Sequence, residues 1–312
     1  MYTPLQPPRP ARDFHDRIYA GDILLFSAMP EQQRLVEFTR QFLEERFHPH
    51  VPVEIHRHLS HAQQVEQFGA ATRDYARASE VKRLWAQLFA AVGLDPRQTA
   101  RDRLHLRFQP HQAADAPVVR TRATATVRFH RDTWGTNLYA QVNWWAPVYP
   151  LGPGRTMALY PALWSRPLRN TSATFDFEAV LKQSRAGVDV SAGDGGIPQL
   201  REAVAADLAV PVVIDPGTVI AFSAAHAHTG VPNRTGLTRI SLETRTLFIA
   251  DFCDGRGAPN LDGHAPWMSP GLFRRVTDGV KLTELLAVNE LEPSVFGHSL
   301  PRFARRIFIV PK

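Results

Sequence analysis

The chain has 312 residues and a formal net charge of +6, from 36 Lys and Arg against 30 Asp and Glu, with 44% hydrophobic and 21% charged residues. That apolar share is too high for a disordered chain, and no run approaches the roughly 20 consecutive apolar residues of a membrane helix. The opening MYTPLQPPRPARDFHDRIYAG carries Pro and charge where a signal peptide needs an apolar segment. A cytoplasmic protein with no membrane partner is therefore expected. All but four of the basic residues are arginines, dispersed among acids with no Lys/Arg block of five, so no nucleic-acid partner is expected either. A single cysteine, Cys253, excludes an internal disulfide and any multi-Cys zinc or iron–sulfur site. In IADFCDG, with no histidine beside it, it reads as a small buried apolar residue.

Residues 1–20 are Pro-rich and polar, and read as an arm. GDILLF (21–26) predicts a short strand. From Pro30 the spacing turns helical, with Leu35, Val36, Phe38, Phe42, Leu43 and Phe47 on one side. Two more helices are predicted, over 61–76 and from Ser79 to a stop at Gly93. From about residue 103 the period shortens to two. LHLRF, ATVRF, LYAQVNWWAPV, RTMALY, PVVI, GTVIAF and TRISLETRTLFI all read as strands between Pro, Gly and Asp turns. An insertion over 161–209 holds predicted helices near 177–185 and 198–208, with SAGDGG between them as a hinge for a lid. The last 60 residues hold turns, a helix over 283–288 and the apolar RRIFIV. The chain thus reads as one domain over 1–312: an arm and helical flank to residue 100, an antiparallel β core over 101–250 and a C-terminal extension over 251–312.

Two histidine groups stand out among thirteen. HPHVPVEIHRHLSH places His48, His50, His56, His58 and His61 in Pro-broken sequence with Glu54 as its carboxylate. Metal ligands need rigid elements behind them, so this group is the weaker candidate. The second group belongs to the strands. In ATVRFHRDTW, His130 and Asp132 are two apart, and on an extended chain i and i+2 share a face. Arg131 is thereby turned away. Far downstream GTVIAFSAAHAHTGVPN supplies His226 and His228 after another strand. Two imidazoles and one carboxylate on one face of a metal suit non-haem Fe(II) and oxygen chemistry. Arg239 follows His228 by 11 residues on an alternating strand, with Ser241 on its face. An Arg and a hydroxyl so placed would hold the far end of a dicarboxylate through charge-assisted bonds.

With those residues, the chain resembles the Fe(II)/2-oxoglutarate-dependent oxygenases, and most closely their phytanoyl-CoA dioxygenase-like branch. The resemblance rests on H-x-D at His130 and Asp132, a distal histidine before the turn HTGVPN, and Arg239. The turn selects His228 over His226. It spans roughly residues 100–250 and implies a mainly β fold with flanking helices, a double-stranded β-helix (jelly-roll, cupin-like). It also implies Fe(II) held by His130, Asp132 and His228, with 2-oxoglutarate meeting Arg239 and Ser241. Oxygen would then be used to hydroxylate a small metabolite, of natural-product or amino-acid type, as 2-oxoglutarate becomes succinate; desaturation or cyclisation would use the same residues. Relatives that halogenate lack the carboxylate, so Asp132 argues against halogenation.

Other residues join this reading. Alternation in LYAQVNWWAPV puts Gln141, Asn143 and Trp145 on one face, so Gln141 or Asn143 is expected to contact 2-oxoglutarate or substrate. Trp134 is a candidate wall of the substrate pocket, and Arg245 a candidate for a substrate anion. The alternative is a cupin-like binding protein, with another metal or none, that holds a small molecule without oxygen chemistry.

Overall fold

Pro30 occupies the first turn of a helix, where its missing N–H has no intrahelical partner to lose. The computed structural model describes residues 3–4, 11–112, 124, 126–176, 179–180, 182, 196–266 and 268–291. Four helices come first: α1 (Ala11–Tyr19), α2 (Pro30–Phe47), α3 (His61–Arg77) and α4 (Ser79–Ala91). Ser60 caps α3, its hydroxyl accepting from Gln63 N at 3.3 Å while the Gln63 side chain accepts from Ser60 N at 2.8 Å. After α4, Gly93 takes φ +91°, a conformation other residues resist. The predicted arm therefore contains a helix. Phe14 and Ile18 on α1 are buried, and Phe14 stacks on Trp144 with ring centroids 5.6 Å apart. That contact is long-range, which is why the Pro-rich local sequence hid it.

The strands are β1 (Thr3–Pro4), β2 (Leu24–Phe26), β3 (Thr99–Arg101), β4 (His105–Gln109), β5 (Gln141–Pro147), β6 (Met157–Leu159), β7 (Val210–Pro211), β8 (Val219–Ser223), β9 (His228–Gly230), β10 (Arg239–Phe248) and β11 (Arg274–Arg275). The larger sheet runs β1-β2-β8-β5-β10-β3-β11, with β4 also on β10, and the smaller runs β7-β6-β9. All pairings are antiparallel except β1 with β2. From β4 onward the chain passes between the sheets: β5, β8 and β10 lie in the larger, and β6, β7 and β9 in the smaller. This alternation is the winding of a jelly roll, as expected.

Alternation along the strands sorts the side chains. Phe108, Val142, Trp144, Ala221 and Leu242 face outward and join Leu35, Phe68, Trp85 and Phe89 of the helices in the main core. Each buried Phe or Leu there contributes about 1.5–3 kcal/mol relative to exposure. Trp145, Ile220 and Phe222 face inward and pack with Met157, Leu159 and Val212. The rest of the inward surface is polar. Among the described residues, no helix is long and apolar enough to cross a membrane.

Two expectations are corrected here. ATVRF forms no strand over its described residues, and pairing is reduced to a bridge between His130 and His228. The chain leaves the sheet because Asp132 opens a short helix, α5 (Asp132–Thr136), directly after the extended Arg131. The helix expected near 198–208 is also missing except for a 3₁₀ turn at Ala206–Leu208. Residues 199–201 instead pair with 169–171, with Thr171 N to Gln199 O at 3.0 Å and Arg201 N to Arg169 O at 2.7 Å. Leu200, Val204 and Leu208 pack against Trp134, Tyr160 and Leu163, so this part of the insertion covers the outer side of the smaller sheet. Most of the helix expected near 177–185, most of SAGDGG and all of RRIFIV lie outside the described residues. In the C-terminal extension, α6 (Ile249–Cys253) follows β10, and α7 (Leu282–Leu291) covers the predicted helix at 283–288.

Candidate metal centre

His130 lies at the end of the segment entering α5, and His228 opens β9. They bridge through backbone bonds in both directions, at 3.0 and 2.9 Å, and their ring centroids are 4.2 Å apart. Each ring is oriented from behind. His130 Nδ1 donates to Arg128 O at 2.8 Å and His228 Nδ1 to His226 O at 3.0 Å. A carbonyl only accepts, so each Nδ1 is the donor and each Nε2 is the nitrogen left for a metal. Burial pushes the His228 pKa down to about 4, with His130 adding to it, so the ring is neutral at ordinary pH.

Asp132 lies 3.5 Å from His130 Nε2. One donor atom from each of His130, Asp132 and His228 lies within 4.8 Å of the others. Burial alone would raise the Asp132 pKa, but Arg245 and the two imidazoles outweigh it and hold the carboxyl well below its ordinary value. Two imidazole nitrogens and one carboxylate are a donor set that fits a divalent first-row metal. Arg131 points away, its guanidinium donating to Leu163 O at 2.7 Å and Arg166 O at 2.9 Å.

No other described histidine joins the triad, though His105 on β4 lines the same cavity. His226 is buried with Nε2 3.0 Å from Gly21 O and its ring 4.5 Å from Trp164. His50 and His58 stack face to face at 3.9 Å and 12°, which points their in-plane nitrogens along parallel planes and not at a common point. His56 Nδ1 lies 2.9 Å from Thr238 Oγ1. Among the described residues only the His130 triad brings three such groups together. Cys253 is half-buried at the end of α6, and burial pushes its thiol pKa up.

Arg239, at the start of β10, lines the same cavity as the triad. It is buried, and burial pulls its pKa down to about 10, so it keeps its charge at neutral pH. Its Nη1 donates to Thr156 O at 2.8 Å, while its buried Nε has no hydrogen-bond partner. No carboxylate stands within ion-pair distance of it among the described residues. An orphaned cation of this kind fits a carboxylate-bearing ligand. Ser241 is placed differently from expectation: its hydroxyl donates to Glu243 Oε1 at 3.2 Å.

The sequence reading gave Glu243 no role in the site. It sits on the same face of β10 and pairs with Arg107 Nε at 2.7 Å. Burial would raise its pKa, but Arg107 and Arg239 outweigh it and bring it to about 2. The alternation starting at Arg239 was the signal that could have found it. Asp102 was missed as well; it lies in a loop after β3, where no periodicity marks it.

The remaining candidates are placed as follows. Asn143 lines the cavity and donates from Nδ2 to Asp132 Oδ2 at 2.5 Å. Gln141 lies behind it, donating to Asn143 Oδ1 at 2.9 Å, and does not reach the cavity. Trp134 does not wall the pocket. It is fully buried on the far side of α5, with Nε1 donating to Asp262 Oδ1 at 2.8 Å. Arg245 meets acids of the chain itself: Nη1 bonds Asp102 at 3.1 Å and Nη2 bonds Asp132 at 3.3 Å.

No family model matches the chain, and no curated protein matches it. Solved structures of similar shape include EvdO2 from Micromonospora carbonacea var. aurantiaca complexed with 2-oxoglutarate, at 13% identity over 78% of this chain and 93% of that one, with a TM-score of 0.45. The non-heme monooxygenase ThoJ, in its apo form, is similar at 13% identity over 76% and 78%, with a TM-score of 0.43. SnoK, a non-heme alpha-ketoglutarate-dependent carbocyclase from nogalamycin biosynthesis, is similar at 14% identity over 86% and 98%, with a TM-score of 0.43. Likeness of this degree does not assign chemistry to this chain, which rests on its own residues.

Proposed function

We propose that this protein is an Fe(II)- and 2-oxoglutarate-dependent dioxygenase that hydroxylates a small metabolite. The observation that carries the reading is Arg239: a buried guanidinium with no carboxylate in ion-pair contact among the described residues, lining the cavity that holds His130, Asp132 and His228. Charge balance supports it. Around the cavity, Asp102, Asp132 and Glu243 face Arg107, Arg239 and Arg245. The six sum to no net charge, so a divalent cation and a dianion can enter together without leaving an uncompensated buried charge.

In this reading His130, Asp132 and His228 hold Fe(II), and Arg239 receives the far carboxylate of 2-oxoglutarate. Fe(II) with 2-oxoglutarate and oxygen supplies oxidative decarboxylation to succinate and attack on a substrate C–H bond. The protein's own part is orientation and exclusion of water. The carbonyls of Arg128 and His226 fix both imidazole tautomers. The amide of Asn143 holds Asp132, and Trp145, Met157 and Phe222 wall the cavity with apolar surface.

Anaerobic titration of the metal-free protein with Fe(II) and 2-oxoglutarate tests this. The expected result is a weak visible charge-transfer band, absent from His228→Ala and weakened in Arg239→Ala. Folded protein that gives no band, and makes no succinate with oxygen, overturns the reading.

A further inference from the structure

On β5 and β10, Asn143 and Arg245 are directly opposite cross-strand partners. Their side chains reach the two oxygens of a single carboxylate: Asn143 Nδ2 is 2.5 Å from Asp132 Oδ2, and Arg245 Nη2 is 3.3 Å from Asp132 Oδ1. We infer that Arg245, braced by Asp102, is a positioning residue that confines Asp132 to metal coordination through one oxygen. The inference rests on the metal site proposed above, and it gives Arg245 a role that acts through Asp132.

The bracing is extensive. Asp102 Oδ2 takes Arg245 Nη1 at 3.1 Å, and Asp102 Oδ1 takes the Arg245 backbone N–H at 2.9 Å and the Thr244 hydroxyl at 3.2 Å. Asp102 N in turn donates to Arg245 O at 3.0 Å. Asp102 therefore grips both the main chain and the side chain of Arg245, and is itself buried. Asn143 is fixed in the same way, since Gln141 Nε2 donates to its carbonyl oxygen. Both terminal nitrogens of Arg245 are thus engaged by acids of the chain, while its side chain also lines the cavity.

The chemical consequence follows from lone pairs. A carboxylate that chelates a metal turns a lone pair of each oxygen toward it. In Asp132 each oxygen accepts one bond from a donor held on a rigid strand and keeps a second lone pair, so the two bonds fix the plane of the carboxylate without filling it. Oδ1, which lies 3.5 Å from His130 Nε2, is the oxygen left facing the imidazoles. Chelation would require the carboxylate to rotate until Oδ2 also faces the imidazoles, a rotation about the Asn143 bond that the bond from Arg245 to Oδ1 opposes. One-oxygen binding leaves three positions of a six-coordinate metal open, two for a chelating cosubstrate and one more. Chelation by Asp132 would close one of them.

Water-proton relaxation with Mn(II) as the bound metal counts the exchangeable waters and needs no substrate. Wild-type protein is expected to retain three at saturating Mn(II). Arg245→Met is expected to retain two, so that the relaxivity of the bound ion falls by about one third. Asp102→Asn, which leaves Arg245 present but unbraced, is expected to fall in the same direction by less. Arg245→Lys, which keeps one donor, is expected to recover part of the loss. Thermal unfolding of each variant shows whether it is folded, and Asp102→Asn decides the matter if Arg245→Met is not. Variants that keep three waters, whether or not they bind Mn(II) more weakly, overturn the positioning role and leave the metal site standing. Wild-type protein that binds no Mn(II) overturns the metal site itself.

Discussion

His130 and His228 hold each other in place through a closed pair of backbone hydrogen bonds, His130 N to His228 O at 3.0 Å and His228 N to His130 O at 2.9 Å. The two proposed ligands therefore belong to one bridge, although 98 positions separate them in sequence. Neither position depends on its side chain for the bridge, so removing an imidazole leaves the backbone pairing intact.

His228→Ala is accordingly expected to weaken metal binding by at least 100-fold, a direct ligand mattering no less than its supporting partners, with little change in Tm. His226→Ala is the control. Its ring bonds Gly21 O and stacks on Trp164, and only its backbone carbonyl orients His228. It should keep metal affinity within about two-fold while losing roughly 1 kcal/mol of stability with its hydrogen bond. Calorimetric titration with Mn(II) beside thermal melts of both variants checks this. Equal loss of metal by both would show that the wrong histidine has been chosen.

Arg239→Gln removes a buried charge that no carboxylate among the described residues contacts directly. A charge-assisted hydrogen bond is worth about 1.5–3 kcal/mol, so affinity for 2-oxoglutarate should fall by roughly 10- to 100-fold. Metal affinity in its absence should be unchanged. Titrating the metal-loaded variant with 2-oxoglutarate separates the two effects. An unaltered dissociation constant would mean that the dicarboxylate does not bind at Arg239.

Glu243 gives a pH dependence of defined sign. Its folded pKa of about 2 lies below the ordinary value of 4.5, because Arg107 and Arg239 outweigh the effect of burial. Its contribution to stability is complete above about pH 4.5 and is lost as pH falls toward 2. Wild-type protein should therefore lose stability more steeply across that window than Glu243→Gln. Urea midpoints measured from pH 6 to pH 3 for both proteins decide it, and parallel curves would remove Glu243 from the acid response.

Asp262 joins three segments: the Trp134 indole on α5, the Leu168 N–H of the insertion and Arg131 between His130 and Asp132. Asp262→Ala leaves the buried Arg131 without its counter-charge, at a cost of about 3–5 kcal/mol. The visible band with Fe(II) and 2-oxoglutarate should broaden or weaken in the surviving folded protein, since α5 carries Asp132. A denaturation midpoint unchanged from wild type would contradict this account.

The sequence alone determined the strands with clean alternation and the helices with clean periodicity. LYAQVNWWAPV, GTVIAF and TRISLETRTLFI became β5, β8 and β10, and the three helices after Pro30 formed within a residue or two of their expected limits. It also singled out His130, Asp132 and Arg239, because a two-residue spacing and a strand period are local facts about the chain, while His228 was separated from His226 by the family resemblance of its turn. Only the tertiary structure decided what those side chains meet. Nothing local reveals that Asn143 and Arg245 are register partners on neighbouring strands, or that both converge on Asp132. Nor does it reveal that Ser241 serves Glu243, or that Trp134 turns to Asp262 instead of the cavity. Asp102 carried no signal at all. Its partners lie more than 140 positions away, and a loop residue shows no period. Backbone periodicity is written in neighbouring residues, whereas the pairing of buried charges depends on strand register, which exists only once the sheet has closed.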